Sequence, residues 1–197
     1  MPGAVSLVLS LALSGLDPRA SIAATWSDGH GLVSNPGDVQ AEIEAILGSA
    51  GIGVRWTDAV PAEDGSLHVT VVVSPSDPSG AGWRLSPFAM GVYLSTAESS
   101  AVYVFYHRVA RVLGIPSGRD GMISPSDRKR LAKALGRVVV HELVHRIAPE
   151  LPHARSGIMR GDLGPSFLTR RSVSLDDVSA AAVLSALRSA PRANAPP

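Results

Sequence analysis

Apolar positions along the chain change period several times, and each change marks an element. From Val5 to Leu16 (VSLVLSLALSGL) they alternate, with Leu7, Leu9, Leu11 and Leu13 on one side and Ser6, Ser10 and Ser14 on the other. That is the period of a half-buried strand. The same run fits the apolar stretch of a secretory signal with Ser21-Ile22-Ala23 as a small-x-small cleavage site, although no Lys or Arg precedes it. Residues 1–20 are therefore expected to be either a signal-like segment or an amino-terminal strand, with Ala20–Trp26 a return strand. Asp38–Ala50 has helical spacing, with Val39, Ile43, Ile46 and Leu47 on one face. Asn35-Pro36 stands at its start and Gly48 and Gly51 at its end. Strands are expected at Val54–Thr57, Leu67–Ser74, Phe88–Ser95 and Ala101–Val109, all dense in β-branched or aromatic residues.

Two capped helices follow. Ser124, Pro125 and Asp127 form a capping-box start. A long helix is expected from there to about Ile147, with Leu131, Leu135, Val138, Val139 and Leu143 as its apolar side. Pro149 ends it, because the ring pushes Ala148 out of the helical region. Ser174–Leu187 is expected as the second helix, boxed by Ser174 and Asp177, and residues 191–197 as a disordered tail. The pattern predicts one α+β domain over 1–197: a twisted mixed sheet, two main helices and a carboxy-terminal helix.

Composition narrows the chemistry. Of 197 residues, 45% are hydrophobic and 18% charged, which is core-forming rather than disordered material. A net charge of +1 argues against nucleic acid as a partner. The short Arg128-Lys129-Arg130 run lacks the aromatic platform that would change this. No apolar run reaches the roughly 20 residues of a membrane span. With no cysteine, any metal site must be built from His and carboxylates.

Three of the six histidines fall between 141 and 153. His141-Glu142-Leu143-Val144-His145 lies inside the long helix. Residues four apart on a helix differ by about 40° around its axis, so both imidazoles reach one point and can share a Zn²⁺. Glu142, beside the first ligand, is the candidate general base for a metal-activated water. A catalytic zinc takes three protein ligands. His153, eight residues beyond His145 and past Pro149, is the nearest third. Glu150, Asp162, Asp176 and Asp177 are its rivals. His107 reads as a strand-end polar residue, and His30 and His68 as surface or structural.

The combination of HELVH on a long helix, His153 soon after it and Ser156-Gly157-Ile158-Met159 resembles the metzincins, a family of zinc-dependent endopeptidases. The order of elements is similar too, from about residue 20 to 190, and short secreted bacterial members are the nearest in kind. The resemblance implies one zinc ion bound by His141, His145 and His153, Glu142 as general base, and Met159 in a turn beneath the site. It also implies an edge strand at Gly91, Val92, Tyr93 and Leu94 along which an extended peptide or protein substrate lies. A secreted or periplasmic monomer is expected. The family pattern HExxHxxGxxH would put Gly at 148 and the third ligand at 151, whereas this chain has Ala148 and Leu151, with His153 two residues later. Two alternatives stay open: a zinc-binding module without catalysis, and a gluzincin-like hydrolase whose third ligand is Asp176 or Asp177.

Overall fold

A computed structural model describes residues 21–58, 67–76, 85–95, 100–116 and 123–189. The alternating run at Val5–Leu16, with its signal or strand reading, and the tail at 191–197 lie outside the described residues. The architecture is α+β, with a five-stranded mixed sheet and five helices among those residues. The elements run β1 (Ser21–Ser27), α1 (Pro36–Ser49), β2 (Gly53–Trp56), β3 (Leu67–Ser74), β4 (Gly91–Ser95), β5 (Ser100–Phe105), α2 (Tyr106–Val112), α3 (Pro125–Ile147), α4 (Pro165–Leu168) and α5 (Asp177–Ser189).

The sheet order is β2-β1-β3-β5-β4. β1, β2, β3 and β5 pair in parallel, and β4 pairs antiparallel with β5. A parallel pair needs a crossover, and α1 supplies it between β1 and β2. Ile22, Ala23 and Ala24 of β1 are buried in succession, as in a strand covered on both faces. The α1 positions predicted from spacing, Val39, Ile43, Ile46 and Leu47, are its buried residues.

Helix α3 is the axis of the molecule. It packs against α1, α2, α4, α5, β4 and β5. Its cap follows the sequence: Asp127 N–H donates to Ser124 Oγ at 3.1 Å, and the Ser124 hydroxyl donates to the Asp127 carboxylate at 2.9 Å. The expected single apolar face is too narrow, because every residue from Ala134 to His141 is buried. Small residues make room for this. A Cβ on Gly136 would stand 3.0 Å from Glu42 Cβ and 3.1 Å from the Val39 carbonyl, so α1 and α3 meet backbone to backbone there.

Three predicted boundaries move by three residues or more. The strand expected over Ala101–Val109 stops at Phe105, and the chain turns into α2. Tyr106, Val109 and Ala110 bury one helical face, so tertiary packing overrides the strand propensity of Tyr, Val and Phe. His107, read as a strand-end residue, is in the first turn of α2, edge-on to the Tyr106 ring at 5.5 Å. β4 begins at Gly91 rather than Phe88, after a turn at 87–88. α5 starts at Asp177 rather than Ser174, because Asp176 is the residue that caps it. Asp176 accepts from Ser179 N–H at 3.0 Å and from the Ser179 hydroxyl at 2.8 Å. No helix among the described residues is long and apolar enough to cross a membrane.

Candidate metal centre

The last two turns of α3 carry His141 and His145. The helix ends at Ala148, whose N–H still donates to the Val144 carbonyl at 2.8 Å. Ala148 has φ −129° and ψ 71°, an extended exit with no positive φ, so glycine is not needed there. Leu151 N–H then donates to the Ala148 carbonyl at 2.9 Å, closing a turn with Pro149 at its second position. The two residues by which His153 is late are taken up in this turn. The chain doubles back and delivers His153 to the pair on α3.

The three Nε2 atoms form a nearly equilateral triangle. His141 to His145 is 3.2 Å, His145 to His153 is 3.2 Å, and His153 to His141 is 3.3 Å. Tetrahedral zinc with Zn–N bonds of about 2.0–2.1 Å sets its nitrogens about 3.3–3.4 Å apart, so the triangle has the dimensions of three ligands on one ion. The His145 ring stands at 82° and 85° to the other two, which lie within 17° of parallel. Among the described residues, these three are the group of metal-ligating side chains close enough to hold an ion. Of the rivals, Asp176 is engaged as the α5 cap and Glu150 is exposed in the turn after α3.

Protonation supports the same reading. His141 Nδ1–H donates to the Ile158 carbonyl at 2.9 Å. A carbonyl only accepts, so the proton sits on Nδ1 and the Nε2 lone pair faces the other rings. Burial, with the neighbouring imidazoles adding to it, lowers the His141 pKa to about 4 against the opposing Ile158 bond. His145 is also lowered, by burial and by His153 beside it. Both shifts favour the neutral, ligating form at neutral pH.

The turn that presents Ile158 is held from several sides. Gly157 has φ +68°, and a Cβ there would press on Ser174 O and Asp176 N, both at 3.0 Å. Ile158 N–H donates to Ser174 O at 3.0 Å, and Ala154 N–H to Met159 O at 2.7 Å. The Met159 side chain is fully buried in the core. A methionine thus lies one residue beyond the carbonyl that orients His141.

Glu142 shares a cavity of about 820 Å³ with the three imidazoles. Its carboxylate has no hydrogen-bond or ion-pair partner among the described residues, and burial pushes its pKa up to about 7. Its stem is pinned by β4, since a Cβ on Gly91 would lie 3.0 Å from Glu142 Cγ and 2.9 Å from Val138 Cγ1. β4 is an edge strand among the described strands, paired on one side with β5. Gly91 is buried, while Val92, Tyr93 and Leu94 are partly exposed.

Two contributors were not visible from motif reading. The Ile158 carbonyl is a backbone atom and leaves no trace in residue identity. Arg146 lies over the Tyr93 ring at 5.5 Å and donates to Ser100 Oγ at 3.0 Å, tying the end of α3 to β4 and β5. Its signal was faint: the charge follows His145 directly. Comparison with protein-family models, with curated proteins and with solved structures finds no significant match to this chain.

Proposed function

We propose that the chain is a zinc-dependent endopeptidase of the metzincin kind. One observation carries the reading. Three Nε2 atoms at metal-ligand spacing open into the same cavity as a half-buried carboxylate that has no partner among the described residues. Zinc bound there would supply the Lewis acid, polarising a peptide carbonyl and making nearby water more acidic. The residues of the chain account for the remainder. His141, His145 and His153 hold the ion, with the Ile158 carbonyl fixing the His141 tautomer. Glu142, lifted toward neutrality by burial, is suited to take a proton from water and to return it to the leaving amine. The outer edge of β4 offers main-chain donors and acceptors to an extended peptide. A secreted or periplasmic setting and a monomeric enzyme complete the reading.

The first test is metal content. The wild type is expected to hold about one zinc per chain, and His153→Ala to lose most of it. The measurement is zinc per chain in the two proteins purified side by side at neutral pH. Zinc retained by His153→Ala would exclude the three-His site and move the third ligand to a carboxylate.

The β4 contact gives a second expectation. Gly91→Ala places a methyl group against Glu142 Cγ and the Tyr103 carbonyl. Displacing a reacting group by about 1 Å costs on the order of 100-fold in rate, so turnover should fall by about that factor while zinc content is unchanged. Full activity in Gly91→Ala would mean that Glu142 is not held by this contact.

A further inference from the structure

The cavity over the three imidazoles is not uniformly lined. Met90, Val112 and Val138 make part of the wall apolar, and Phe88 stands 86% exposed at the rim. Two guanidinium groups come from α2. Arg108 donates to the Ser86 carbonyl at 3.1 Å and the Ala89 carbonyl at 2.7 Å, so it fastens the 86–89 segment to the helix. Arg111, one turn further along, is exposed and has no hydrogen-bond or ion-pair partner among the described residues. Among the described residues, the carboxylates lining the same cavity are Glu142 and Asp162, and neither forms an ion pair with Arg111. A guanidinium keeps its charge at any working pH and presents a planar fork of donors that matches a carboxylate.

We infer that Arg111 is a specificity residue that receives a carboxylate of the substrate, so the chain prefers peptides with an acidic group next to the bond it cleaves. This rests on the zinc peptidase reading above and names the substrate class of that site. The carboxylate has two sources, an Asp or Glu side chain or the free carboxy terminus of a short peptide. Both present the same chemistry to Arg111. The apolar wall beside it takes the non-polar part of the same residue.

The experiment uses the zinc-loaded full chain and four dipeptide hydroxamates. In each the hydroxamate belongs to a succinyl group that acylates the first residue, and the second residue is Glu or Gln, with a free or an amidated carboxy terminus. The hydroxamate anchors at the metal and needs no turnover, so binding is read directly by calorimetry. Charge-assisted hydrogen bonds make a carboxylate-bearing probe about 10-fold or more tighter than the Gln amide. The Glu amide shows this gain if side chains are read, and the Gln free acid if termini are. Arg111→Gln should remove the gain, and Arg111→Glu should reverse it, while all proteins keep their zinc and still bind the Gln amide. Equal binding of all four probes to the wild type overturns the inference but leaves the peptidase reading intact. So does a gain that survives Arg111→Gln. A wild type that holds zinc yet binds none of the probes also overturns it. A chain that takes up no zinc overturns the peptidase reading, and this inference with it.

Discussion

Glu142→Gln is expected to lower peptide hydrolysis by about 10²–10⁴-fold without loss of zinc. The substitution keeps the shape of the side chain, so the close approach of its stem to Gly91 survives, but an amide cannot take up the proton of a water. The imidazole triangle does not involve Glu142, and the His141 tautomer depends on Ile158, so metal content should match the wild type. The pH dependence gives a second reading of the same group. Burial alone raises the Glu142 pKa to about 7, and a bound dication acts in the opposite direction. A base must be ionised to work, so kcat/KM should rise with pH along an acid limb whose midpoint lies at or below about pH 7. Hydrolysis of a peptide mixture, followed by mass spectrometry with zinc measured in the same samples, checks both. Turnover that survives Glu142→Gln would remove this residue from the chemistry. Zinc without turnover in the wild type, on any unfolded substrate, would favour a binding module.

Elements specified by neighbouring residues were legible in the sequence, and those specified by distant packing were not. The α3 cap, the stop at Pro149 and the His141–His145 spacing each depend on a few consecutive residues, and all stand where the sequence put them. Joining His153 to the pair required only a turn, and Pro149 marked it. α2 is hidden in the sequence because Tyr103-Val104-Phe105-Tyr106 has strand propensity throughout. At Tyr106 the chain turns into a helix whose buried face, Tyr106 included, belongs to an element packed against α3, which lies later in the chain. The α5 cap stands two residues after the expected one because Ser174 and Asp176 both suit the role. Ser174 instead spends its carbonyl on Ile158 in the turn beneath His141. Arg137 gave no sign at all. In the sequence it is one more basic residue on an apparently amphipathic helix, whereas in the structure it is completely buried.

Arg137→Ala is accordingly expected to cost more stability than any other single change to a charged side chain described here, about 3–5 kcal/mol. Its guanidinium has three acceptors, one on α1, one on α4 and one just beyond α4. Nε donates to Glu42 Oε1 at 2.7 Å, and the terminal nitrogens to the carbonyls of Phe167 and Arg170, both at 2.8 Å. One residue thus ties α3 to α1 and to the α4 segment, one helical turn before His141. Truncation leaves a poorly hydrated carboxylate, two carbonyls without donors and a void. Lysine does not rescue this, because a single ammonium cannot span three acceptors in a fork. The surface provides a control of the same chemistry. Arg130 pairs with Asp127 at 2.7 Å, but their side chains are 45% and 31% exposed, and such pairs contribute at most about 1 kcal/mol. Urea unfolding of Arg137→Ala, Arg130→Ala and the wild type compares the two directly. For a chain of this size the first should also lower Tm by roughly 10 °C. The double substitution Glu42→Leu with Arg137→Met separates charge from packing. It removes the stranded carboxylate and fills the space, so it should recover part of the loss even though the Phe167 and Arg170 carbonyls still lack donors. If Arg137→Ala costs no more than Arg130→Ala, the buried network is not what fixes α3 against α1. The position of His141 would then depend on the apolar contacts of the helix alone.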